Sequence, residues 1–483
     1  MLKVLVRVAP EINIKTPKIK ARFLRTLIRN IEDALEAASI QHHIDERWSR
    51  LMVELDSEEG VAILTRIFGV GSVSPIEHEC ESQVDVIGDL VLSHYTEAVA
   101  GKTFCVRVKR SGAVKGITSH EAERLIGARL APHALKVNLT KPEFKVEVEM
   151  TQHGSYIFTN RLPGPGGLPL GSQGKALCLI SGGFDSAVAA WRMMKRGVSL
   201  DYVFCNLAGG AYERSVLAVV KGLCERWSHG TRPKVHVLDF SPVVKAIDEH
   251  VSPHYSQVVL KRLFYRCCSR VADHAKAHAL VTGEAVGQVS SQTLSNLAAI
   301  DAVSNKLILR PLISFDKEEI LDIARDIGTY LLCEHIQEYC ALNNKKPVTA
   351  TSVAQLDEQE SKLPEGLVDE VLDRFNTIRV AELSNKELMT QYLFTEEIDS
   401  DTVIIDTRDK MEYRAWHYPG ALHLPLATAA VAYKQFDKTK RYVLVCPFGL
   451  QTAVLAELMQ KSGFEAYSFE KGARGLMKYE KKA

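Results

Sequence analysis

Between residues 163 and 174 the chain places Pro163, Gly164, Pro165, Gly166, Gly167, Pro169, Gly171 and Gly174, a density of breakers that neither a helix nor a sheet carries. Proline lacks the N–H that regular hydrogen bonding uses, and glycine loses the most backbone entropy on ordering, so no single layer can run through this interval. It is read as a linker between two differently built halves. At 483 residues the chain also exceeds the ~250–300 at which one hydrophobic core stops growing. Several domains are therefore expected.

Ahead of the linker, residues 1–12 (MLKVLVRVAPEI) alternate as a strand does, and Phe23, Leu24, Leu27, Ile28, Ile31 and Leu35 recur at helical spacing. This predicts a small α+β unit over residues 1–59. Helix candidates at 60–67, 83–99 and 120–130, with alternating strands at 103–108 and 144–150, predict a second α/β unit over 60–162. Beyond the linker the apolar runs ALCLI, YVFCNL, VHVLDF and ALVTGE alternate with amphipathic stretches, the order of βα units stacked into a parallel sheet over 175–377. A connector over 378–397 leads to a compact α/β module over 398–483, built on TVIIDTR, RYVLVC and EAYSFEKG.

Hydrophobic residues make up 46% and charged residues 25%, the balance of a soluble protein. No stretch approaches the ~20 apolar residues of a membrane span, and the N-terminus lacks signal-peptide order, so a cytoplasmic protein without a membrane partner is expected. The net charge of +1 leaves nucleic-acid binding to local surfaces. Residues 102–115 are such a candidate, with Lys102, Arg107, Lys109, Arg110 and Lys115 and no acid. The ten cysteines form no C-x-x-C pair, which argues against a zinc ribbon or a cysteine-ligated cluster of the usual spacing. Most should be buried small apolar residues.

Two segments carry chemistry. Ser181-Gly182-Gly183-Phe184-Asp185-Ser186 lies between an apolar strand and a helix. The glycines let backbone approach an anion, the helix start offers free N–H groups, and Ser181 and Ser186 add hydroxyls, so the segment suits a phosphate. No lysine closes the loop, which excludes the G-x-x-x-x-G-K-[ST] pattern. Asp185, at the helix start, can act as a cap or help hold magnesium and position phosphates. The second segment is Cys446, between the strand run RYVLV and a helix. Backbone N–H groups at such a turn favour a thiolate.

SGGFDS resembles the PP-loop of the ATP pyrophosphatases. Asp406-Thr407-Arg408, His417-Tyr418-Pro419-Gly420-Ala421 and Pro425 resemble the rhodanese signatures that accompany a persulfide-forming cysteine. Thr452 stands where many rhodaneses carry arginine, and Pro447 removes one donor, so thiosulfate binding is expected to be weakened more than uptake of sulfur from a protein persulfide. The whole chain, including residues 280–294 and FCVRVKRSG, resembles the tRNA 4-thiouridine synthetase family, also known as the thiamine-biosynthesis sulfurtransferases, in its long form. That resemblance implies a ferredoxin-like N-terminal unit, a THUMP RNA-binding domain, a PP-loop domain and a rhodanese-like domain. It further implies that Leu179, Ile180, Ser181, Gly182, Gly183, Ser186, Lys261, Gly283 and Gln292 contact ATP, that Asp185 supports adenylation with magnesium, that Arg107, Lys109, Arg110 and Lys115 meet tRNA, and that Cys446 carries a persulfide resolved by Cys340. The implied partners are tRNA, a cysteine desulfurase as donor, and a thiamine sulfur-carrier protein as second or main acceptor. Direct attack by the persulfide and attack by released sulfide both remain open.

Overall fold

The computed structural model describes residues 1–480 except 48–49, 112–115, 208–209, 335, 337–346, 385–387, 389–390 and 448–449. The chain divides into two compact units, Met1–Leu170 and Gly171–Ala483.

The first unit holds two sheets. In one, the strands run in the order Leu162–Pro163, Val70–Pro75, Leu2–Val8, Arg50–Leu55 and His42–Arg47, all antiparallel. The helix Pro17–Ala37 covers one face with Phe23, Leu24, Leu27, Ile31 and Leu35, as the helical spacing predicts. Two expected boundaries shift. Residues 60–75 belong here and not to the second module, because Val70–Pro75 pairs with Leu2–Val8 and Val61 and Leu64 enter this core. The Pro/Gly interval is also packed over its first part. Leu162–Pro163 is an edge strand, Leu168 and Leu170 are buried, and a Cβ on Gly164 would lie 2.4 Å from the Val70 carbonyl oxygen. The breakers let the chain hug this edge and leave it.

The second sheet of this unit runs His78–Cys80, Gly154–Phe158, Phe144–Thr151, Thr103–Arg110, Lys136–Val137, with helices Val84–Val99 and Ser119–Leu130 on its core face. A capping box between Thr118 and Glu121 starts the latter helix. Strand alternation sends Leu5 and Met52 away from the helix-covered face of the first sheet, where they meet Tyr156 and Phe158 of the second. Charge accompanies this contact. Glu149, fully buried, accepts a hydrogen bond from Arg7 Nε at 3.0 Å and is paired with Arg50, tying three strands from both sheets together.

The second unit contains a six-stranded sheet in the order Leu307–Leu309, Ala279–Val281, Lys175–Leu179, Ser199–Asn206, Lys234–Asp239, Asn376–Arg379. The first five strands are parallel and the last is antiparallel. A separate parallel sheet runs Phe394–Thr395, Glu465–Phe469, Arg441–Val445, Val403–Asp406, Leu422–His423. The interval 378–397, expected as a connector, thus gives strand residues to both sheets. Thr377 to Arg379 pair with the larger sheet and Phe394–Thr395 with the smaller, since each closes an otherwise open edge. Among the described residues, no helix is long and apolar enough to cross a membrane.

The buried triad in the first unit has a testable consequence. Glu149→Ala removes the buried acid that both Arg7 and Arg50 pair with, so the unit should lose about 3–5 kcal/mol. Urea unfolding followed by hydrogen exchange in residues 1–158 should register that loss. Unchanged protection there would show that the triad contributes little.

Candidate active site

In the larger sheet the chain steps from Lys175–Leu179 to Ser199–Asn206 and Lys234–Asp239, then returns to lay Ala279–Val281 on the opposite side. Loops that leave adjacent strands at such a reversal open a crevice at their carboxyl ends, the usual ligand position in a parallel sheet. Residues 181–186 and 282–284 are those two loops. Gly182 has φ +82°, a conformation that suits glycine, and an added Cβ there would lie 2.9 Å from Ile336 Cδ1. Gly183 caps the helix Phe184–Lys195 without any side-chain hydrogen bond, so the first-turn N–H groups stay available. Ser186 Oγ donates to the Gly183 carbonyl at 3.0 Å and accepts from Ser181 N–H at 3.3 Å, while Tyr212 OH donates to the Ser181 carbonyl at 2.9 Å. Leu179 and Ile180 close the strand leading into this turn, Ile180 being buried.

The second loop presses on the first. A Cβ on Gly283 would sit 2.6 Å from the Asp185 carbonyl carbon and 2.8 Å from Ser186 N, so a side chain at 283 cannot coexist with this helix start. Asp185 points its two oxygens at separate donors: Lys317 Nζ at 2.7 Å and Gln288 Nε2 at 2.8 Å. Lys317 begins the helix Lys317–Ile327, whose capping box joins Asp316 and Glu319. Among the described residues no group of three or more His, Cys, Asp or Glu side chains is arranged to hold a metal ion.

Next to Gly283, Glu284 is buried inside a network. It accepts from Tyr265 OH at 2.6 Å, Thr282 Oγ1 at 3.0 Å and Arg310 Nε at 3.0 Å, and Lys261 Nζ lies 4.0 Å from it. Burial works to raise its pKa, but Lys261, Arg310 and the two hydroxyls outweigh that and hold it below the usual carboxylate value. Arg310 in turn donates to Asp301 at 2.9 Å. Gln292, in the turn Ser290–Gln292, accepts from Ala285 N–H through its side chain at 3.4 Å and from Gly287 N–H through its backbone at 2.9 Å. The expected nucleotide residues are thus gathered by two loops and the flanking helix Ser256–His274, which carries Lys261.

Cys446 follows the strand Arg441–Val445 directly and is 1% exposed. Thr452 Oγ1 donates to its sulfur at 3.3 Å and lies 2.6 Å from Ser468 Oγ. The position where an arginine is common therefore holds a neutral donor that reaches the sulfur itself. Asp406 and Arg408, both buried, are joined at 2.6 Å, and Arg408 also donates to the Trp416 carbonyl. Tyr413 stacks between His417 and His423 at ring distances of 4.1 and 4.5 Å. These signature residues lie at and beside the end of Val403–Asp406, the strand that pairs with the cysteine strand. Cys340 lies outside the described residues, as does Lys115. Other cysteines fit an inert role: burial pushes Cys224 up to about 11 and Cys333 up to about 12.

The remaining basic candidates share the strand Thr103–Arg110. Arg107 is committed within the fold, donating to the Leu139 carbonyl at 2.5 Å and lying 3.7 Å from Glu123. Lys109 and Arg110 are exposed. Partial burial of its ammonium, then repulsion from Arg50, Arg161 and Arg7, lowers the Lys109 pKa. An anion bound here would relieve that repulsion.

Sequence reading did not single out Lys317, Gln288, Tyr212, Glu284 or Arg310. Lys317 lies 132 residues from the Asp185 it pairs with, and no local spacing signals such a contact. Gln288 and Glu284 fall within the quoted 280–294 segment, so only their geometry was missing.

The description "Thiamine biosynthesis protein (ThiI)" matches residues 171–364, the ThiI ferredoxin-like domain 3–74, the THUMP domain 81–160 and the rhodanese-like domain 390–478. The tRNA sulfurtransferase of Desulfurococcus amylolyticus is 37% identical over 97% of this chain and 97% of its own, and that of Yersinia pestis (strain Pestoides F) 35% identical over 96% and 98%. The solved structure of a 4-thiouridine synthetase–RNA complex with bound ATP superimposes with a TM-score of 0.68 at 28% identity, covering 78% of this chain and all of that one. Full-length likeness in sequence, the four-domain order and the geometry of both loops agree, and the chain belongs to the ThiI family of tRNA sulfurtransferases.

Proposed function

We propose that this enzyme uses ATP to activate a tRNA uridine and replaces the ring oxygen with sulfur carried on Cys446, giving 4-thiouridine. The observation that carries this reading is the Gly283 contact, which sets a side-chain-free backbone against the start of the helix Phe184–Lys195, whose cap residue Gly183 makes no side-chain hydrogen bond to it. The residues suit a nucleotide. The N–H groups of the helix start, with the Gly183 N–H once released from Ser181 Oγ, would receive the phosphates, and Lys317, held by Asp185, would supply a positive charge beside them. Lys261, itself oriented by Glu284, would reach the same crevice. Bound ATP supplies the adenylyl group that turns a uridine carbonyl oxygen into a leaving group.

Magnesium fits more loosely. Asp185 has both oxygens engaged by Lys317 and Gln288, so a cation arriving with the phosphates would displace one of these donors. On the sulfur side, Thr452 Oγ1 donates to Cys446 Sγ and orients the sulfur, which a desulfurase persulfide would load by thiol–disulfide-type exchange. Cys340 would supply the resolving thiol, which provides the two electrons of the transfer by forming a disulfide with Cys446 that a cellular reductant reopens. The exposed Lys109 and Arg110 would contact RNA phosphates, giving affinity with little base choice. The same persulfide would also serve a thiamine sulfur-carrier protein, for which the nucleotide loop is not needed.

The decisive measurement is nucleoside mass spectrometry of tRNA incubated with the enzyme, ATP, cysteine and a desulfurase. Cys446→Ser should abolish 4-thiouridine in that assay, whereas full thiolation by this variant would defeat the reading. Asp185→Ala should lower ATP-dependent thiolation at least about a hundredfold, equivalent to roughly 2.7 kcal/mol of lost transition-state stabilisation, while sulfur loading of Cys446 continues. Gly283→Ala should reduce AMP release and thiolation together, by about tenfold or more, since the added methyl forces the two loops apart; normal AMP release would show that the loops have room to spare.

A further inference from the structure

The rhodanese-like domain meets the nucleotide domain at one turn of helix, and the same turn braces the nucleotide loop. Helix Gly210–Trp227 follows the strand Ser199–Asn206, and its Tyr212 holds the Ser181 carbonyl at 2.9 Å. Two residues on, Arg214 turns to the other domain. Its Nη2 donates to Tyr392 OH at 2.8 Å, its guanidinium lies 5.5 Å from the Tyr392 ring centre, and Glu457 Oε1 is 3.7 Å away. Tyr392 OH also lies 3.5 Å from Glu457 Oε1.

Both partners of Arg214 belong to the rhodanese-like domain. Glu457 lies on the helix Leu450–Lys461, which begins just after the Cys446 turn, and its side chain is only 7% exposed. Tyr392 precedes Leu393, which is buried against Ala453 of that helix. The approach is close as well as charged, because a Cβ on Gly210 would lie 2.9 Å from Glu457 Oε1. Glu213 next door is half-buried and receives a hydrogen bond from Asn206 at 3.1 Å. Burial first, with Glu457 and Asp239 contributing, raises its pKa, so Arg214 stands between two acids that would otherwise repel.

We infer that this turn is a docking plate for the sulfur-bearing domain, with Arg214 as a positioning residue that clamps Glu457 and Tyr392 and so sets the Cys446 helix beside the loop that activates uridine. The inference rests on the reading of Cys446 as sulfur carrier. It adds that delivery depends on a specific charge pair between the domains, distant from the reacting atoms. About 10 Å of helix separate Glu457 from the start of its helix, so a small rotation at the clamp is enlarged at the cysteine turn.

A charge swap tests it in the full chain, with two sulfur sources: cysteine plus desulfurase, which must pass through Cys446, and inorganic sulfide, which need not. Arg214→Glu and Glu457→Arg should each lower desulfurase-driven thiolation by about tenfold, and the double variant should return to within about threefold of the unaltered enzyme, the coupling expected of residues in direct contact. Sulfide-driven thiolation and AMP release should stay within about twofold throughout. The proposal is overturned if either single variant delivers sulfur normally, if the double variant is no better than the worse single one, or if sulfide-driven activity falls in step. Loading of Cys446 by the desulfurase, followed by intact mass, separates impaired delivery from impaired loading; lost loading would also overturn it. A Cys446→Ser control that still thiolates from the desulfurase refutes the carrier reading itself, a failure distinct from any result at Arg214.

Discussion

Two loops from neighbouring strands can share one anion seat only if their backbones come closer than side chains permit. At Gly283 that closeness reaches 2.6 Å from a would-be Cβ to the Asp185 carbonyl carbon. Much of the nucleotide side depends on this crossing. It sets the 282–284 loop against the helix start where Asp185 meets Lys317 and Gln288, and brings Glu284 into the network beside Lys261. The strand reversal in the sheet makes the crossing possible, because only there do two consecutive loop exits diverge enough to leave a crevice between them.

Buried acids do comparable work in both units. Glu149 joins Arg7 and Arg50 where two sheets meet, and Glu284 joins Tyr265, Thr282 and Arg310 behind the nucleotide loop. Burying a carboxylate is costly unless cations and donors surround it, so each acid confines its partners to one geometry. In the first unit that geometry sets one sheet on another. Beside the cradle it directs a lysine, which lets the loop remain short and free of bulky residues.

The sulfur side is built differently. The hydroxyl of Thr452 reaches the Cys446 sulfur, and Asp406 and Arg408 pair with each other beside the same strand end. One helix turn holds the Ser181 carbonyl through Tyr212 and contacts Tyr392 of the rhodanese-like domain through Arg214.

How much of this was legible beforehand differs by level. The strand-loop-helix order around 181–186, the cysteine at the end of its strand and the parallel βα order could all be read from residue sequence, because each depends on neighbours within a few positions. The domain edges could not. Val70–Pro75 looked like the start of a new module and proved to be a strand of the first sheet, and the interval 378–397 looked like a connector yet supplies strand residues to two sheets, since short strands are defined by their partners. What the sequence alone determined was the chemistry available: a glycine-serine anion loop and a thiol at a helix start. What only the tertiary structure decided was which distant charge faces each group, Lys317 on Asp185, Arg310 on Glu284 and Arg214 on Glu457, because ion pairs form between surfaces that folding brings together and leave no periodicity in the chain.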